Sequence, residues 1–161
     1  MKTYIGIDNG VTGTIGIIND LAAYFMNTPI KKEQDYTKKK QLITRIDTIL
    51  LKQVLLRETY TNDVFVGIER PMINPNRWRA SVSAIRADEA MRILLQTLDI
   101  PYQYIDSKEW QKMLLPKSTE KEDLKKASID VATRLFPKLR GQFKPDADGL
   151  LIAEYCRRKN F

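Results

Sequence analysis

The chain has no histidine and a single cysteine, Cys156. Without histidine there is no Ser-His-Asp triad, no imidazole general base and no histidine-ligated zinc. One cysteine excludes an internal disulfide and a cysteine-rich zinc site. Apolar runs are short, and none approaches the ~20 residues that a membrane span requires. A strand-like pattern opens at Thr3, so neither a signal peptide nor a membrane partner is expected. Lone Cys156 fits a reducing cytoplasm, in a bacterial or phage-infected cell.

What remains for chemistry is carboxylate, lysine, tyrosine and any metal held by oxygen. Oxygen-only ligands favour Mg²⁺ or Mn²⁺. The 161 residues suffice for one domain, residues 1–161, with a real core. The net charge is +7, from 27 Lys+Arg against 20 Asp+Glu. The excess is uneven: residues 108–144 hold ten basic and five acidic side chains, and residues 70–92 hold five Arg and two acids. A polyanion is the natural partner of such a surface, although a solvated basic face has the same composition.

Acids stand at the ends of apolar segments in three places. Asp8 closes Tyr4-Ile5-Gly6-Ile7, Glu69 closes Val64-Phe65-Val66-Gly67-Ile68, and Asp146 and Asp148 precede Gly149-Leu150-Leu151-Ile152-Ala153. A buried acid at the end of a core strand is costly unless a cation compensates it. Four such acids would repel one another and raise each other's pKa, and divalent metal would remove that penalty. The expectation is a site of two Mg²⁺ ions, with Mn²⁺ as a substitute, held by Asp8, Glu69, Asp146 and Asp148. Asp8, being central, is expected to bridge both ions.

The pattern along the chain predicts an α/β fold. Residues 3–8, 14–18 and 21–26 read as a three-strand meander. Residues 29–40 read as a loop. Leu42, Ile46, Ile49, Leu50 and Val54 recur at helical spacing, which predicts an amphipathic helix over 38–58. Residues 64–69 form a buried strand, 79–98 a helix, and 101–105 a fifth strand. Ser107 is placed to cap the turn that follows. Thr119 and Glu122 make a capping box for a helix reaching Phe136. A last helix ends at Arg157-Arg158-Lys159. The order βββαβαβαα gives a five-stranded mixed sheet with helices on both faces, strands one and four adjacent. Asp146 is expected to precede the last helix, with Asp148 in its first turn.

Ile5-Gly6-Ile7-Asp8-Asn9-Gly10 with Gly13 and Gly16, then Gly67-Ile68-Glu69, then Asp146-Ala147-Asp148-Gly149-Leu150-Leu151-Ile152-Ala153, occur in this order beside the basic stretch 118–144. Together they resemble the RuvC-type Holliday junction resolvases of the ribonuclease H-like superfamily, phage-type members especially. The resemblance implies active-site carboxylates at Asp8, Glu69 and Asp146/Asp148. It implies an assisting base on the penultimate helix, for which Lys126 is the nearest match with Lys125 beside it. It also implies a homodimer that nicks two opposed strands of a four-way DNA junction.

Arg70, Arg77 and Arg79 follow Glu69 closely and suit phosphate contacts, as do Lys117, Lys121 and Lys125. Trp78 and Trp110 are candidates for stacking on bases, or for core and subunit contacts. Three other functions fit part of the pattern. Asp8-Asn9-Gly10-Val11-Thr12-Gly13-Thr14 also looks like the first phosphate loop of sugar kinases and actin-like ATPases, which require a second such domain. A ribonuclease H cutting RNA–DNA hybrids would use the same acids. A junction-binding protein with a degenerate site would keep only the basic surface.

Overall fold

A computed structural model describes residues 2–35, 37–60, 63–117 and 119–161. Ser118, which opens the basic stretch, and Tyr36, in the segment expected to be a loop, lie outside them.

The elements are β1 (Lys2–Ile7), β2 (Thr14–Ile18), β3 (Ala23–Asn27), β4 (Ile30–Gln34), β5 (Leu42–Ile46), α1 (Thr48–Thr59), β6 (Asp63–Glu69), α2 (Trp78–Thr97), β7 (Tyr102–Ile105), α3 (Ser107–Leu114), α4 (Leu124–Leu135) and α5 (Asp148–Lys159). Five strands form one mixed sheet in the order β3-β2-β1-β6-β7. β1 runs antiparallel to β2 and parallel to β6, and β6 runs parallel to β7. The adjacency of β1 and β6 is the one expected from the sequence.

Each face of the sheet has its own core. α1 and α2 cover one, around Ile5, Ile7, Val66, Ile68, Leu51, Leu55, Met91 and Leu95. α3, α4 and α5 cover the other, around Trp110, Val131, Ala132, Leu150 and Leu151. Alternating strand residues therefore point into different cores, and β1 is buried along both faces from Thr3 to Ile7.

Glycines set how closely α5 sits on the sheet. Gly6 pairs with Gly16 on one side and with Gly67 on the other, so three adjacent strands present a row without side chains. A Cβ on Gly6 would lie 2.1 Å from the Gly149 oxygen, and one on Gly16 would lie 2.2 Å from the Leu150 Cα. The helix backbone thus rests directly on the strands, and its N-terminus is carried to the end of β1.

Four expectations about elements are corrected. Residues 29–40 are not all loop, and 38–58 is not one helix. β4 and β5 pair as a separate two-stranded hairpin, and α1 starts only at Thr48. The β-branched Ile43, Thr44 and Ile46 favour the extended chain. Asp47 then caps α1, accepting hydrogen bonds from the amides of Ile49 and Leu50. The helical phase shifts accordingly: Leu51 and Leu55 face inward, while Ile49 and Leu50 are exposed. At α3 the cap is Asp106, which accepts from the Lys108 amide, and Ser107 is the first helical residue. The helix expected from Thr119 begins at Leu124, after a 3-10 turn at Lys121–Asp123; the Thr119 hydroxyl donates to the Pro116 carbonyl instead.

Candidate active site

Asp8 follows the last residue of β1, and Glu69 ends β6. The two strands run parallel with Ile7 opposite Ile68, so both acids emerge at one end of the sheet. The loop after Asp8 closes back on itself: the Asp8 amide donates to the Thr14 carbonyl and the Gly13 amide to the Gly10 carbonyl. Gly10 has φ of 144°, a conformation that suits glycine. A Cβ on Gly13 would strike the Asp8 carbonyl at 2.1 Å.

α5 supplies the other two acids. Asp146 precedes the helix and Asp148 is its first residue. Asp146 is only 3% exposed, and three groups hold it. The Thr14 hydroxyl donates to its Oδ1 at 3.3 Å, the Asp148 amide donates to the same atom at 3.3 Å, and Lys125 Nζ lies 3.5 Å from Oδ2. Thr14 Oγ1 in turn accepts from the Gly149 amide, and Ser128 Oγ accepts from the Ala147 amide. Asp148 is the contrasting case, because its Oδ1 is buried with no hydrogen-bond partner among the described residues.

The electrostatics follow from this crowding. Burial, then the charges of Glu69, Asp146 and Asp148, push the Asp8 carboxyl up to about 9. A side-chain hydrogen bond between Asp8 and Glu69 adds to the rise at Asp8 and works against it at Glu69. Burial raises Glu69 as well, although hydrogen bonds from Trp110 and Asp8 work against it. Burial and Asp146 raise Asp148 to about 7. Among the described residues, no three acids already surround one point at coordinating distance. The donor set nevertheless fits a hard divalent cation. It is all oxygen, it is short of positive charge apart from Lys125, and it has one buried oxygen without a partner.

The other candidate residues separate clearly. Lys125 reaches Asp146, whereas Lys126 lies on the outer side of α4 beside Asp123 and Asp130. The Arg70 guanidinium lies over the Tyr104 ring, 5.3 Å from its centre. Arg77, Arg79, Lys117 and Lys121 are exposed, and the structure brings none of them into the acid cluster. Trp110 cannot stack on a base: it is 1% exposed, and its Nε1 donates to Glu69 Oε1 at 3.0 Å. Trp78 is 71% exposed.

The sequence reading missed Thr14, Ser128, Trp110 as a Glu69 partner, and Asp106, whose charge adds to the load on Glu69. It also missed a brace behind the site. Asp88 of α2, 8% exposed, accepts from Asn9 Nδ2 at 3.1 Å, from the Tyr104 hydroxyl at 2.7 and 2.8 Å, and from Arg92 Nε at 3.1 Å. Asn9 follows Asp8, and Tyr104 carries Arg70, which follows Glu69. One carboxylate on α2 thereby ties down the residues after both strand acids.

No family model matches the chain, and no curated protein matches it. Among solved structures it is similar to Thermus thermophilus RuvC in complex with a Holliday junction substrate, with a TM-score of 0.63 and 14% identity over 99% of this chain and 96% of that one. It is also similar to a second Thermus thermophilus RuvC structure, with a TM-score of 0.59 and 15% identity over 98% and 96%. At this identity the likeness is one of fold, and the fold is ribonuclease H-like α/β.

Proposed function

We propose that residues 1–161 form one nuclease domain, a phage-type, metal-dependent endonuclease that resolves four-way DNA junctions by paired nicks as a homodimer. The observation that carries this reading is the convergence of four acids from three elements at one sheet end, with Asp8, Glu69 and Asp148 all held above their ordinary pKa. The net charge of +7 favours a polyanionic substrate. A fold shared with a protein solved on a Holliday junction favours branched DNA over other polyanions. No described helix is long and apolar enough to cross a membrane, and the reducing cytoplasm of a bacterial or phage-infected cell is the proposed setting.

Asp8, Glu69 and Asp148 would hold Mg²⁺, with Mn²⁺ able to replace it and two ions per site. Bound there, the ions supply an activated water and stabilise the leaving 3′-oxygen of the phosphodiester. Asp8 is central and would bind the metal as a carboxylate. Asp148 offers the Oδ1 without a hydrogen-bond partner, so it is the member of the α5 pair that would hold the metal. Asp146 is spoken for by Thr14 and Lys125, and it orients the start of α5. Trp110 fixes the Glu69 carboxylate through its indole N–H. Lys125 lies beside Asp146 with an exposed side chain, free to meet the phosphate that the acids would otherwise repel.

Cleavage of labelled four-way junction, linear duplex and RNA–DNA hybrid, with and without Mg²⁺, tests the reading with wild type and Asp8→Asn. Paired junction nicks that disappear in the variant are expected. Cutting confined to the hybrid would make the protein a ribonuclease H. Tight junction binding without cutting would leave a binding protein.

A further inference from the structure

The hairpin β4–β5 and the first half of α2 enclose a groove of about 880 Å³. Lys38 and Lys39 line it from the hairpin, and Arg79 and Arg86 from α2. The exposed ring of Trp78 stands on its wall. Val11, from the loop that follows Asp8, lines it too.

Several cations on these two elements are paired, and those lining the groove are not. Lys31 and Arg45 pair with Glu33, and Arg92 pairs with Asp88 and Glu89. Lys38, Lys39, Arg79 and Arg86 have no acidic partner within ion-pair distance among the described residues. The acid in the lining, Asp35, is occupied in the hairpin turn, where its Oδ1 accepts from the Thr37 amide and hydroxyl and from the Gln41 amide. Four cations against one acid leave the groove strongly positive. Holding four like charges together costs energy unless an external anion is there to be bound. A second copy of this chain is a poor occupant, because it brings the same cations and its own charge of +7.

We infer that the β4–β5 hairpin and α2 form a clamp that grips a DNA strand by its phosphates, with Trp78 placed to stack on a base. Arginine and lysine neutralise the backbone without reading its sequence, so the grip is independent of sequence. The exposed aromatic ring favours an unpaired or splayed base over a closed duplex. The inference deepens the nuclease reading and rests on it.

The test is binding of a labelled four-way junction in EDTA, across a range of salt, by wild type, K38A/K39A/R86A, the charge-preserving K38R/K39R/R86K, and Trp78→Ala. All four positions are exposed, so melting should not change. If all three cations touch phosphates, the alanine variant should weaken binding about tenfold or more at low salt. Its slope of log affinity against log salt should become shallower by about 2–3. The charge-preserving variant should restore both. Trp78→Ala should lose about fivefold or more with the slope unchanged. Wild-type affinity and slope in the alanine variant overturn the inference. So does a loss accompanied by a change in subunit number, which would make the groove a protein interface. A wild type that binds no branched DNA defeats the functional reading itself, and the inference falls with it; that outcome is visible without any variant.

Discussion

Asp8→Asn should make the metal-free protein more stable while abolishing its cleavage. Folded Asp8 holds its proton up to about 9, whereas an ordinary aspartate releases it near 3.8. Between those values the folded state binds more protons than the unfolded state, so stability falls as pH rises through the window. Each pH unit is worth 1.36 kcal/mol, and at pH 7 the accumulated cost is about 4 kcal/mol. That is a large fraction of a typical folding free energy of about 5–15 kcal/mol. Asparagine imitates the protonated acid and can still donate to Glu69, but burying its amide returns about 1–3 kcal/mol of the gain. The net gain of about 1–3 kcal/mol corresponds to a rise in Tm of roughly 2–12 °C for a chain of this size. The assay is thermal melting in EDTA from about pH 5 to about pH 8. Wild type should melt lower as pH rises, and the variant should show a shallower trend, because Asp148, at about 7, still contributes. Glu154 does not confuse the result: Arg157 and Arg158 lower its carboxyl, so the stability it contributes is lost only below the ordinary glutamate range. Mg²⁺ at neutral pH should raise the wild-type Tm and do much less for the variant. A wild-type Tm that stays flat across the range, with the variant melting no higher, would refute the account of four crowded, mutually repelling acids.

Lys125→Ala should slow cleavage by at least about tenfold, which is 1.4 kcal/mol of transition-state stabilisation, while Lys126→Ala should change it little. Equal losses in single-turnover rates would show that the outer face of α4 matters as much as the inner. Asp88→Asn replaces the acceptor shared by Asn9, Tyr104 and Arg92, and should cost about 2–3 kcal/mol in denaturant melts. It should also raise the Mg²⁺ concentration needed for cleavage, which a purely structural role would leave alone. Gly16→Ala should destabilise by about 3 kcal/mol or more, because its Cβ would need to displace the α5 backbone at Leu150, and a melting point near wild type would contradict that packing.

How much of this was legible in the sequence differs from element to element. The hairpin was lost because Leu42 and Ile46 are four apart, a spacing that serves a helix and one face of a strand equally well; Asp47, a strong cap just before Thr48, was the signal that separated them. The resemblance points to Lys126 as the nearest match, with Lys125 beside it, and the phase of α4 tells the two apart. Counted from the buried face, Lys125 stands three residues before Ser128 and seven before Ala132, which puts it on the stripe that meets α5, and Lys126 a hundred degrees off it. Thr14, Ser128 and Trp110 carry no local mark at all, since their partners lie 132, 19 and 41 residues away. The acids were legible for a reason the sheet register makes plain. Gly6-Ile7-Asp8 and Gly67-Ile68-Glu69 are the same pattern, and Gly6 pairs with Gly67 while Ile7 pairs with Ile68. In each strand the glycine admits α5, the isoleucine fills the opposite core, and the acid emerges one residue later where the α5 N-terminus arrives. Two parallel strands with this pattern in register can only deliver their acids to one place. The spacing of glycine to acid is therefore a geometric requirement of the site, and it accompanies the feature that makes the strand acids legible, their place at the end of an apolar segment.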